Sequence, residues 1–136
     1  MAKIIPFLPN CEFYFDRGMA AFEKYQYPQA IHYLRRGQSL AKSQNDYIFT
    51  TCQLAVCLEA IGNYQTAKQE LEAIPVKSYA KHPEVQYFLA TVYIFLDRYE
   101  DSYHYAQEYL LSGQHDFAVE ALDLISELEN RRPSRR

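Results

Sequence analysis

Four histidines and three cysteines are the residues of this chain best suited to hold a metal or act as a nucleophile. A zinc site needs such ligands at short, fixed spacings, and a nucleophile needs a base beside it. His32, His82, His104 and His115 fall at no ligand spacing such as i, i+4, and no cysteine or carboxylate completes a set. Cys11, Cys52 and Cys57 are odd in number and contain no Cys-x-x-Cys, which argues against a disulfide framework and a zinc site alike. The acidic pairs Glu12 with Asp16 and Glu100 with Asp101 read as solvated helix faces. There is no Gly-rich phosphate loop and no Gly-x-Ser-x-Gly. The expectation is a chain that does no chemistry, with no metal and no cofactor.

Composition narrows the class of partner. With 136 residues, 49 % apolar and 23 % charged, the chain reads as one globular domain. The segment 131–136, "RRPSRR", holds four of the 14 basic residues and leaves 10 against 17 acidic ones, a net of −7 for the rest. Phosphate contacts need clustered cations, so nucleic acid is not an expected partner. The longest near-apolar run, Tyr87 to Leu96, is too short to insert in a membrane. The opening "MAKIIPFLPNC" has an apolar stretch broken by Pro6 and Pro9 and does not read as an export signal. Unpaired cysteines fit a reducing compartment, so the expected location is cytoplasmic.

What remains is a repetition. "KYQYPQAIHYL", "IGNYQTAKQEL" and "FLDRYEDSYHYA" align on Tyr27, Tyr64 and Tyr99, spaced by 37 and 35 residues. Three residues further on stand Ala30, Ala67 and Ser102, and the same register upstream brings Gly18, Ala55 and Ala90 together. Two helices approach closely only where the contact positions lack bulk, so this spacing predicts stacked antiparallel helix pairs. Asn10 is expected to cap a first helix, Pro28 to open a second, and Asp46 to cap a third that ends at Gly62-Asn63. A fourth runs from Tyr64 to Ile74 and stops at Pro75, a fifth starts at Pro83, a sixth spans Tyr99 to Leu111, and Asp116 caps a seventh ending near Asn130. No stretch alternates with the period of a strand.

The pattern resembles the tetratricopeptide repeat family, whose unit is a 34-residue helix-turn-helix. The matching residues are Gly18, Ala55 and Ala90, then Tyr27, Tyr64 and Tyr99, then Ala30, Ala67 and Ser102, with Leu54, Leu89, Leu34 and Leu71 at large apolar positions. The repeats depart from the family pattern. Arg17 replaces an apolar residue, and no Trp marks the repeat starts. Three extra residues fall near Asn45 to Tyr47. Ala106 stands where Leu34 and Leu71 do, with Tyr109 one turn later opposite Gly37 and Ile74. The resemblance implies an all-α fold, a right-handed superhelix of stacked antiparallel helix pairs with about seven helices. It comprises an apolar arm over 1–9, a repeat domain over 10–130 closed by a polar-faced capping helix, and a basic tail over 131–136.

The same resemblance implies a concave groove lined by the first helix of each pair. The groove positions are Phe15, Met19 and Phe22, then Phe49, Cys52, Val56 and Glu59, then Tyr87, Thr91 and Ile94. Each set falls on one helical stripe. The Lys, Arg and Asn clamp by which the family's chaperone-binding members hold a carboxylate is missing, since Phe15, Met19, Gln53, Glu84 and Phe88 stand in those places. The expected function is an adaptor that holds an apolar or amphipathic protein or peptide segment by burial. The alternatives are a small chaperone of a secretion or assembly system and the N-terminal interaction module of a larger regulator. Ile4, Ile5, Phe7 and Leu8 are expected to pack on the repeats or on a second copy, giving a homodimer through the arm or the groove.

Overall fold

The computed structural model describes residues 8–131. The first seven residues of the expected apolar arm and all but Arg131 of the expected basic tail lie outside them. Among the described residues there are seven α-helices and no strand: α1 Cys11–Glu23, α2 Tyr27–Ser39, α3 Gln44–Ala60, α4 Tyr64–Glu72, α5 Glu84–Phe95, α6 Tyr99–Leu111 and α7 Ala118–Arg131. A short 3-10 helix, Val76–Ala80, bridges α4 and α5. Consecutive helices pack as hairpins, α1 with α2, α3 with α4 and α5 with α6. The first helices also touch one another, α1 against α3 and α3 against α5.

The small residues are where the helices meet. Gly18, Ala55, Ala90, Ala30, Ala67 and Ser102 are all buried. A Cβ on Gly18 would stand 2.7 Å from Leu34 Cγ, closer than such atoms come in packed proteins. In the third hairpin the Ser102 hydroxyl donates to the Ala90 carbonyl at 2.7 Å, a bond from one helix to its partner's backbone. Ala106 and Tyr109 are both fully buried, so the volume lost at one is supplied by the other. The Tyr109 hydroxyl accepts from the Phe117 N–H at 2.8 Å, which anchors the approach to α7.

The turns within the three hairpins are built alike. At the end of α1 the Tyr25 N–H donates to the Phe22 carbonyl and the Gln26 N–H to the Ala21 carbonyl, both at 2.9 Å. Gly62 and Asn63 make the same pair of bonds at the end of α3, and Asp97 and Arg98 at the end of α5. This arrangement closes a helix with one residue in the left-handed region. That residue is Tyr25 (φ 61°), Gly62 (φ 78°) and Asp97 (φ 58°) in turn. Only the middle one is the glycine that tolerates it without cost.

Several expected boundaries shift, each for a local reason. Asn10 caps α1 as expected, its side chain accepting from the Phe13 N–H at 2.9 Å, and Pro28 lies in the first turn of α2. Ser43, not Asp46, caps α3: its hydroxyl accepts from the Asp46 N–H at 3.1 Å. The earlier start makes α3 17 residues long against 13 for α1, so the three extra residues lengthen one helix by about a turn. Phe117, not Asp116, immediately precedes α7, its carbonyl accepting from the Ala121 N–H. The outer side of α7 is also less polar than a capping helix requires, with Val119 67 % and Leu122 56 % exposed beside Leu111 at 80 %.

Two substitutions of opposite sign test this account by chemical denaturation. Gly18→Ala overpacks the first hairpin against Leu34 and is expected to cost about 1–3 kcal/mol. Tyr25→Gly relieves an exposed left-handed residue and is expected to gain about 1 kcal/mol. A neutral Gly18→Ala removes the close-contact argument, and a destabilising Tyr25→Gly removes the turn argument.

Candidate functional site

Helices α3, α5 and α7 line a cleft of about 620 Å³. Val56 and Glu59 come from α3, Tyr87, Thr91, Ile94 and Phe95 from α5, and Leu124, Glu127 and Arg131 from α7. Asp97 and Tyr99, at the turn into α6, complete the rim. Helical spacing produces each wall, since residues three, four and seven apart share a stripe.

Five of the ten groove positions expected from sequence therefore border one cleft: Val56, Glu59, Tyr87, Thr91 and Ile94. The other five lie elsewhere. Phe15 and Phe49 pack on each other, ring centroids 4.8 Å apart, and border a separate depression of about 320 Å³ with Glu12, Asp16 and Asp46 on its rim. Cys52 is buried in the core and borders a pocket of about 110 Å³ beside Phe49, Phe88 and Phe117. Met19 and Phe22 are half-buried on α1, with Phe22 edge-on to Tyr27 at 5.6 Å.

The sequence reading placed a seventh helix but missed that α7 borders the cleft and that Phe117 borders the small pocket beside Cys52. Phe117 stacks flat on Tyr87, centroids 4.6 Å and planes 1° apart, and meets Phe88 edge-on at 5.2 Å. Tyr87 is half-buried beneath it and still faces the cleft. The signal was present in the spacing Leu124, Glu127, Arg131, which marks a second stripe on α7 beside its buried one of Ala121 and Leu128. Phe95 stacks on Tyr64 across the next turn, centroids 4.7 Å apart and nearly coplanar in orientation.

The electrostatics of the cleft centre on Glu59. Burial pushes its carboxyl up to about 7, against a smaller downward pull from Thr91. The Thr91 hydroxyl lies 3.4 Å from Glu59 Oε1 but also 2.8 Å from the Phe88 carbonyl, and its single proton goes to the nearer acceptor. Arg131 donates to Glu127 Oε1 at 3.0 Å and lies over the Tyr99 ring. Elsewhere the thiols are unsuited to nucleophilic work. Burial, then the nearby Glu84, pushes Cys52 far up, and burial raises Cys57 to about 11. No group of three or more metal-ligating side chains occurs among the described residues.

A carboxyl that keeps its proton longer when folded lowers stability as pH rises from its unfolded value of 4.5 to about 7, with the penalty complete above that. Glu59→Gln is accordingly expected to stabilise the protein at pH 8 by about 2 kcal/mol, the gain shrinking as pH falls to 5. Urea midpoints of the two proteins across that range measure it, and a gain independent of pH contradicts it.

A family model described as the SusR N-terminal TPR domain matches residues 17–130. The TPR repeat-containing protein YvcD of Bacillus subtilis (strain 168) is 25 % identical over 130 residues, a match covering 90 % of this chain and 26 % of that protein. The chain thus spans about a quarter of the length of that relative. The crystal structure of PcrH from Pseudomonas aeruginosa superposes with a TM-score of 0.75 at 12 % identity, over 88 % of this chain and 91 % of that one, which is a likeness of fold. With the hairpins, the small contact positions and the matched span in agreement, this chain belongs to the SusR N-terminal TPR domain family of tetratricopeptide-repeat proteins.

Proposed function

We propose that this chain is a non-catalytic protein-interaction module that holds an apolar or amphipathic segment of a partner protein in its concave face. The observation that carries the reading is the 620 Å³ cleft with Val56, Ile94 and Leu124 on three different helices. Apolar walls in a solvent-open cleft gain free energy when a partner covers them. Half-buried Tyr87 and Tyr99 and exposed Phe95 add broad, stiff contact surfaces of the kind interfaces favour. Phe15, Met19, Phe22, Phe49 and Cys52 then serve to set the shape of the concave face rather than to line the main contact. Three free, buried cysteines support a reducing, cytoplasmic setting, and no helix among the described residues is long and apolar enough to cross a membrane.

A second reading makes this module the N-terminal part of a larger regulator. It is favoured by the description of the matched family as an N-terminal domain and by the far greater length of YvcD. The reading as a small secretion or assembly chaperone has only size and repeat number behind it. Under either of the first two readings the partner contacts are the same.

A photo-crosslinking amino acid at Ile94, compared with one at the exposed Gln65 on α4, tests the placement in native cells. Ile94 is expected to give discrete cross-linked partners identifiable by mass spectrometry, and Gln65 none in common. The same partners from both positions, or none from Ile94, would remove the cleft from the binding surface.

A further inference from the structure

Glu59 is out of place in its own repeat register. The spacings that align Gly18, Ala55 and Ala90 set Glu59 against Phe22 in the first pair and Ile94 in the third, both apolar. The fold therefore accepts an apolar side chain at this position. The carboxylate sits instead beside Val56 on an apolar wall. Among the described residues no cation lies within ion-pair distance of it, and its one hydrogen-bond contact is the long one to Thr91.

The surroundings deepen the negative character. Glu59 lies in the last turn of α3, where the helix presents its carbonyl end. Ile94 and Phe95 close α5, Glu127 and Arg131 close α7, and Tyr99 opens α6, so helix ends of both signs border the cleft. Asp97 and Glu127 stand on the rim against a single cation, Arg131, which Glu127 already holds.

We infer that the cleft takes an apolar partner segment carrying a cationic side chain, a lysine or arginine, whose charge sits against Glu59. The inference rests on the proposed function, because it specifies what the bound segment must contain. Val56, Ile94 and Leu124 receive the apolar part of such a segment. The cation supplies the donors that Glu59 lacks, in a setting where charge-assisted hydrogen bonds are strong. Binding then drives the remaining proton from Glu59, so affinity rises with pH. Besides Glu59, the titratable or charged groups facing the cleft are Tyr87 and Asp97 from α5 and its turn, Tyr99 from α6, and Glu127 and Arg131 from α7.

Three probes of one shape separate the possibilities: 4-phenylbutylamine, 4-phenylbutanol and 4-phenylbutyrate, titrated at pH 8 and pH 6 while methyl NMR signals of Ile94 and Leu124 are followed. The amine is expected to bind about tenfold or more tighter than the alcohol at pH 8, with a smaller margin at pH 6 and the carboxylate weakest. Glu59→Gln is expected to abolish both the margin and its pH dependence. Equal binding of amine and alcohol overturns the inference while sparing the groove, and so does a margin that survives Glu59→Gln. Failure of all three probes, both with the unmodified chain and with Arg132→Ser, Arg135→Ser and Arg136→Ser combined, overturns the proposed function as well. Binding that emerges only after Arg132→Ser, Arg135→Ser and Arg136→Ser are combined identifies the chain's own tail as the occupant and overturns the inference alone.

Discussion

Close contact between the two helices of each hairpin is the constraint from which the rest of the structure follows. At Gly18 the clearance to Leu34 leaves no room for a methyl group. At Ser102 the two helices are near enough for a side-chain hydroxyl to reach the opposing backbone. Contact at that range fixes how each pair crosses, because large side chains on either helix would pry them apart. It also fixes which stripe of the first helix remains for its neighbours. Ala55 and Ala67 are buried in the second hairpin, and Val56 and Glu59 fall on the stripe of α3 next to Ala55. The cleft thus borders the hairpin contact on the same helix.

That dependence explains what the sequence could reveal. A small residue at a repeated interval has one strong physical meaning, and Gly18, Ala55, Ala90, Ala30, Ala67 and Ser102 all lie where the interval implies. Asn10 and Pro28 act locally and were equally legible. The repeated turn was only one-third visible. Gly62 announces a left-handed residue, whereas Tyr25 and Asp97 occupy the same conformation without the residue type that signals it. In those two turns the backbone bonds to the preceding helix set the geometry, and the side chain conforms. Ser43 and Asp46 are both good caps, and their order was settled by which one the α3 backbone reaches first.

The candidate site was legible by half, because periodicity names a face without naming its cover. Cys52 lies on the same stripe as Val56 and Glu59, yet Phe49, Phe88 and Phe117 close over its end of the groove. Phe117 belongs to no repeated pattern. Its position follows from the Tyr109 hydroxyl that fixes its N–H, and Tyr109 in turn fills the space left by Ala106. One departure from the repeat therefore determines where the concave face is sealed and where it opens. The stack of Phe117 on Tyr87 marks the boundary, and Leu124 to Arg131 of the same helix form the far wall.

Against this background the apolar lining and the carboxylate of Glu59 have different physical status. Val56, Ile94 and Leu124 are what any helix shared between a core and a groove would present, since a helix packed on more than one side is apolar nearly all round. Among the described residues no element covers that part of the face, which explains their exposure. Glu59 has no such explanation. Its burial costs free energy in the unbound chain, its neighbours supply no strong donor, and its counterparts in the other two pairs are Phe22 and Ile94. On the proposed reading, a residue that weakens the fold at a position where an apolar one would serve is accounted for by its contact with a bound partner. Stability and binding would then be opposed at a single side chain, with the hairpin contacts supplying the rigidity that holds that carboxyl in an apolar wall.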